Sequence, residues 1–194
     1  MAMRPKHCVR QSGRVRMKLN WGLAALTCLG AAIGISAGNA REPTTGDKIA
    51  FPESYAKGVL YSIVDRADIK QYRELYATPE AIDAVKAGKP IPSGTVLTLV
   101  QFKAKLDAQG NPEKDANGRF IKGDLAGYAV MEKRTGWGTE HADDIRNGEW
   151  EYQAFTADKA VNEKAVLKNC FVCHKPLDKT DYLFSFEAMK AANR

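Results

Sequence analysis

Runs of β-branched and apolar residues recur along the middle of the chain, and polar turn residues separate them. Gln71 to Tyr76 alternates apolar and polar positions and predicts a strand. Thr78-Pro79-Glu80 reads as an N-cap, a proline at the first helical position and an acid in the first turn, opening a helix that Gly88 ends. Thr95 to Phe102 is rich in Val, Leu and Thr and predicts a second strand. The stretch Asp107 to Arg119 holds Gly110, Asn111, Pro112, Asn117 and Gly118 and predicts a polar loop leading to a strand around Leu125 to Lys133. Residues 135–149 read as irregular and Trp150 to Thr156 as a strand. Pro52 to Tyr61 reads as a short helix, and Ala160 to Lys168 as another leading into the C-terminal segment. The expected class is α+β, an antiparallel β-sheet with flanking helices.

The first forty residues are different in kind. Arg4, Lys6, Arg10, Arg14, Arg16 and Lys18 precede the apolar run Trp21 to Ile35, and Ser36-Ala37-Gly38-Asn39-Ala40 follows it. This is the basic, apolar and small-residue order of a secretory signal, expected to be cut after Ala40 and to leave a domain over 41–194. The apolar stretch is short and rich in Gly and Ala, where a spanning helix needs about 20 mostly apolar residues. All 23 acidic residues lie beyond position 40, against six of the 29 basic ones before it, so residues 41–194 carry 29 − 6 = 23 of each sign. The alkaline balance therefore belongs to the signal and gives no support to nucleic-acid binding. The expected location is the periplasm, with no membrane attachment after cleavage.

Chemistry concentrates in Cys170-Phe171-Val172-Cys173-His174. Two thiols at this spacing add across the two vinyl groups of a haem, and the following histidine ligates the iron from the same turn. A redox pair gains little from a histidine in that place, and a zinc site needs two further ligands. Outside the motif and the signal, only His141 is of that kind. The reading is one covalent haem c on Cys170 and Cys173 with His174 as iron ligand. Cys8 and Cys28 leave with the signal, so no disulfide accompanies that attachment. Sixth-ligand candidates are His141, which otherwise reads as a solvated loop residue, and Met131 and Met189, which otherwise fill core space. Phe102, Phe120 and Phe155 read as core, with one of them a candidate cap over the haem.

The chain resembles the cytochrome P-460 family from about Phe51 to Met189. The resemblance rests on Phe51-Pro52-Glu53-Ser54-Tyr55, on Tyr72-Arg73-Glu74-Leu75-Tyr76 with Pro79-Glu80, and on Gly94-Thr95-Val96. It ends in Cys170-Phe171-Val172-Cys173-His174-Lys175 with Lys179-Thr180-Asp181-Tyr182-Leu183-Phe184. That last block is the most specific part, because haem attachment alone does not require it. The family implies an antiparallel sheet with flanking helices, a homodimer, and five-coordinate iron with one open side. It also implies an arginine in the distal pocket, at Arg73, otherwise a solvated strand residue paired with Glu74 or Asp68. A proton-relay carboxylate would fall at Glu140 or Glu149.

The family's hydroxylamine-oxidising members bond a strand lysine to the porphyrin. Counting from Gly94-Thr95-Val96, that position is Leu99 here. Lys103 shares its strand parity but lies about 13 Å further along the strand, with Lys105 beyond it. Leu99 is therefore the expected distal wall, and the chain stands closer to the c′-β type. The leading expectation is a periplasmic cytochrome that binds or detoxifies nitric oxide and exchanges electrons with a redox partner protein. The alternatives are a hydroxylamine oxidase, with Arg73 and a loop carboxylate handling protons, and a six-coordinate electron carrier.

Overall fold

The computed structural model describes residues 48–193. The expected signal segment lies outside them. Five strands form one antiparallel sheet in sequence order: β1 (Val59–Arg66), β2 (Gln71–Ala77), β3 (Val96–Ala104), β4 (Lys122–Lys133) and β5 (Trp150–Phe155). Three short helices accompany it: α1 (Pro79–Lys86), α2 (Lys168–His174) and α3 (Phe186–Ala191). This is the α+β architecture expected from the sequence.

Helix α1 follows the expected signals. Thr78 takes the extended N-cap conformation ahead of Pro79, although its hydroxyl makes no capping bond. The helix buries Ala81, Ile82 and Val85, and Gly88, at φ +65°, supplies the left-handed turn that ends it. Each large apolar side chain buried this way contributes about 1.5–3 kcal/mol.

Two expected helices are not formed. Over Pro52 to Tyr61 only Tyr55–Lys57 turns, as a short 3-10 segment, and Val59 already opens β1. Gly58 sits so close to β2 that a Cβ there would lie 2.5 Å from the Ala77 carbonyl oxygen, which favours strand pairing over a further helical turn. Strand β1 was masked in the sequence by a bulge. Leu60 pairs with Tyr76 and Ser62 with Leu75, so Tyr61 is an extra residue that breaks the period of two. Over Ala160 to Lys168 the chain instead returns along β5. Val161 bridges Phe155, and the Asn162 N–H donates to the Ala154 carbonyl at 2.9 Å. The helix begins only at Lys168 and contains the cysteine motif itself.

The two sheet faces are filled differently. On one, Val100, Tyr128, Val130 and Phe155 pack with Ile49 and the rings of Phe51 and Tyr55. On the other, the register aligns Ser62, Leu75, Leu99, Ala129 and Ala154 across all five strands. Beside that row Ala77, Leu97 and Tyr152 join residues of the three helices, including Ile82, Phe171 and Met189, in a second core.

Candidate functional site

Helix α2 divides its seven residues by face. Cys170, Cys173 and His174 stand three and four positions apart and so lie on one side of the helix. Phe171, beside them on the helix, anchors it to the core. It is 2% exposed and packs edge-on against Tyr152, with ring centroids 4.6 Å apart, while His141 lies 4.3 Å from it. Asn147 ties the backbone down, its Nδ2 donating to the Phe171 carbonyl at 3.1 Å and to the Tyr152 hydroxyl at 2.7 Å. Neither thiol is in a disulfide, and burial raises the Cys170 thiol above its ordinary pKa.

His174 is fixed by a single bond. Its Nδ1 lies 2.7 Å from the Tyr182 carbonyl oxygen. A carbonyl only accepts, so the ring proton sits on Nδ1 and the lone pair of Nε2 is left for a metal. Burial lowers the imidazole pKa, partly offset by that same bond, and favours the neutral form that ligates.

The two thiols and this imidazole border a cavity of about 710 Å³ between α2 and the sheet. Leu75, Leu97, Leu99, Ala129, Met131 and Ala154 form its apolar wall. Arg66 and Arg73 also line it. Arg66 is neutralised by two bonds to Asp68, at 2.8 and 2.6 Å. Arg73 pairs with neither Glu74 nor Asp68, the partners expected of it. Its Nε donates to the neutral Gln71 amide at 2.9 Å, and Glu74 is taken by Lys122. Burial, and secondarily the charge of Arg66, lowers the Arg73 pKa. Arg73 and Leu99, placed near the haem by the family resemblance, share one cavity with Cys170, Cys173 and His174.

Other expected residues lie elsewhere. His141 is neither at the cavity nor solvated. Its side chain is 8% exposed, and Nε2 sits 2.8 Å from an oxygen of Glu151, itself fully buried. The polar sequence around His141 suggested a surface loop, but that loop folds over β5. Glu140 completes this group of three, whose ligand-type atoms lie within 4.8 Å of one another, and the Lys48 ammonium already meets both carboxylates. Glu149 accepts the Gly136 N–H at 2.9 Å. Neither Glu140 nor Glu149 is among the residues lining the cavity. Met131 lines it, whereas Met189 is fully buried in the core. Phe102, Phe120 and Phe155 are off the cavity, and the aromatic residues that line it are Tyr61, Tyr152 and Phe184. Of these only Phe184 carried a signal, as the end of the Lys179 to Phe184 block.

The chain belongs to the cytochrome P460 family, whose model matches residues 52–185. No curated protein matches it. Membership makes it a haem-binding cytochrome, and the cavity fits that group. A cavity this large, walled by apolar side chains and bordered by two thiols and one unprotonated imidazole nitrogen, offers what a macrocycle and its iron require.

Proposed function

We propose that this is a periplasmic mono-haem c-type cytochrome that binds nitric oxide and exchanges one electron with a partner protein. Cys170 and Cys173 would carry the macrocycle through thioethers, and His174 Nε2 would ligate the iron. When bound, the haem supplies an iron that takes diatomic ligands and cycles between two oxidation states. The protein's part is orientation and exclusion. The Tyr182 carbonyl holds the ring proton of His174 on Nδ1, Leu99 and its neighbours keep the cavity apolar, and Arg73 can donate to an acceptor at its edge.

The observation that carries this reading is the shared cavity of a metal-ready imidazole and a wall built on Leu99. Among the described residues no lysine lines that cavity, which favours a gas-binding cytochrome over a hydroxylamine oxidase with a lysine–porphyrin bond. Met131 is the lining residue a six-coordinate carrier would use. The optical spectrum of the ferrous protein separates the three. A broad high-spin spectrum that changes on adding NO or CO supports the proposal. Sharp low-spin bands indifferent to CO would indicate the carrier, and a Soret band strongly displaced to the red would indicate the oxidase.

Secretion predicts an intact mass equal to residues 41–194 plus one haem, and a mass that retains residues 1–40 would refute it. For the expected homodimer we offer the edge strand β1, where Leu60 and Ile63 are exposed, as the contact surface. A monomeric mass in solution would exclude it.

A further inference from the structure

The Lys179 to Phe184 block has no part in attaching haem, yet it contains the most unusual backbone in the domain. Asp181 and Tyr182 follow one another at φ +51° and +62°. Asp visits the left-handed region more readily than most residues, and an aromatic residue rarely does. Two in succession reverse the chain just after His174. The reversal brings the Tyr182 carbonyl to within 2.7 Å of His174 Nδ1.

Such a conformation persists only where its surroundings enforce it. Here the Asp181 side chain is held from the far end of the sheet. Its Oδ2 accepts from Lys133 Nζ at 2.6 Å and its Oδ1 from Trp150 Nε1 at 3.1 Å. Lys133 ends β4, Trp150 begins β5, and the two are register partners. Trp150 is fully buried, and the Lys133 side chain is only 13% exposed. Secondary supports fall on the backbone: the Tyr182 N–H donates to the Leu177 carbonyl at 2.7 Å, and the Tyr182 ring lies over Gly148, where a Cβ would be 3.1 Å away.

We propose that Asp181 is a positioning residue for the iron's protein ligand: Lys133 and Trp150 hold its carboxylate, and this fixes the Tyr182 carbonyl on His174 Nδ1. The inference rests on the proposed role of His174 as iron ligand. A well-aligned acceptor at Nδ1 draws the ring proton away and makes the opposite nitrogen a stronger donor to iron. Loosening the carboxylate therefore weakens the iron–histidine bond and disfavours the ferric state.

The test uses the haem-loaded protein. Asp181→Asn keeps the volume and the tolerance for a left-handed backbone but removes the charge that holds Lys133, and Lys133→Met breaks the same pair from the other side. Both should move the ferrous iron–histidine stretching band, read by resonance Raman, to lower frequency and should raise the reduction potential. Tyr182→Phe keeps the carbonyl and should match the wild type in both. If Asp181→Asn and Lys133→Met lower thermal stability but leave band and potential unchanged, Asp181 is merely structural and the proposal falls. It falls equally if Tyr182→Phe shifts them as far, because the Tyr182 hydroxyl and not the Asp181 carboxylate would then set the ligand. His174→Ala separates the two readings: a wild-type band in that variant overturns the ligand assignment itself, and this inference with it. Should Asp181→Asn fail to accumulate, the Lys133→Met result decides alone.

Discussion

The two faces of the sheet use one strand pattern to different ends. On the packed face, Val100, Tyr128, Val130 and Phe155 meet Phe51 and Tyr55. Ring pairs such as Phe51–Tyr128, 4.8 Å apart, and Phe51–Phe155, 5.3 Å apart, both edge-to-face, close that side with protein alone. On the other face, residues of neighbouring register, Leu75, Leu99, Ala129 and Ala154, front a cavity of about 710 Å³. Protein interiors leave few voids larger than a water molecule. An apolar wall of that extent leaves room for a ligand, and the two thiols and the imidazole of α2 border the same space. One face of the sheet is closed by protein alone, and the other, beside the core it shares with the helices, leaves the cavity in which the proposed haem would sit.

The largest expected effect breaks the cavity face from the helix side. Replacing both Cys170 and Cys173 by Ala, in a host that attaches haem, should lose the resistance of the cofactor to acid–acetone extraction. A haem that still resists extraction from the variant lacking both thiols would refute the attachment reading. Next comes the packed face. Phe155→Ala should cost about 3–5 kcal/mol, read as a lowered denaturation midpoint, with no direct effect on gas binding. A cost near zero would mean that the aromatic face is not the structural one.

Alkali tests the burial of one side chain on the cavity face. Burial raises Tyr61, on the cavity wall, from 10.0 to about 12, while its bond to Ser185 acts the other way. The folded state thus keeps a proton that the unfolded chain gives up first. The stability this contributes is complete below pH 10, falls as pH rises from 10 to about 12, and amounts to on the order of 2 kcal/mol. Tyr61→Phe should flatten that part of the stability–pH curve, and an unchanged slope would show that Tyr61 ionises freely.

The sequence disclosed what depends on spacing and withheld what depends on packing. The thiols and His174 were legible because five consecutive residues define them, and β2 to β5 because alternation and turn residues mark them. Strand β1 was not legible, because the bulge at Tyr61 destroys the period on which recognition depends. Burial of His141 was hidden too, since a polar loop reveals nothing of the strand it covers. Arg73 and Leu99 were placed by resemblance, and the structure puts them at one cavity. Tyr152 reached that cavity only through the pairing of Met131 with Tyr152 in β4 and β5.

Leu99 tests whether the cavity face is built for ligands rather than for stability. It borders open space and is only partly buried, so Leu99→Ala should cost less than a fully buried leucine does, below about 2 kcal/mol. Its effect should fall on NO and CO binding rates, which rise as the wall recedes. Unchanged rates with a large loss of stability would reverse the assignment of the two faces.

The smallest effect is expected at Lys103, and it sharpens the same contrast. Lys103 has the strand parity of Leu99, but it pairs with Gln71 near the end of β3, is exposed, and does not line the cavity. Four residues of strand place it about 13 Å from the Leu99 position, beyond a side chain's reach without a register shift. The register is fixed by seven consecutive pairs, from Ala77 with Leu97 through Leu75 with Leu99 to Gln71 with Lys103. Moving Lys103 to the haem would carry apolar Leu99 and Leu97 out of place with it. Lys103→Ala should therefore change stability by no more than about 0.5 kcal/mol and leave the optical spectrum as it was. Mass spectrometry of the haem-bearing peptide should find porphyrin joined to Cys170 and Cys173 alone. A porphyrin bond to Lys103, or to any other lysine, would show that the cavity face is built for hydroxylamine oxidation rather than gas binding.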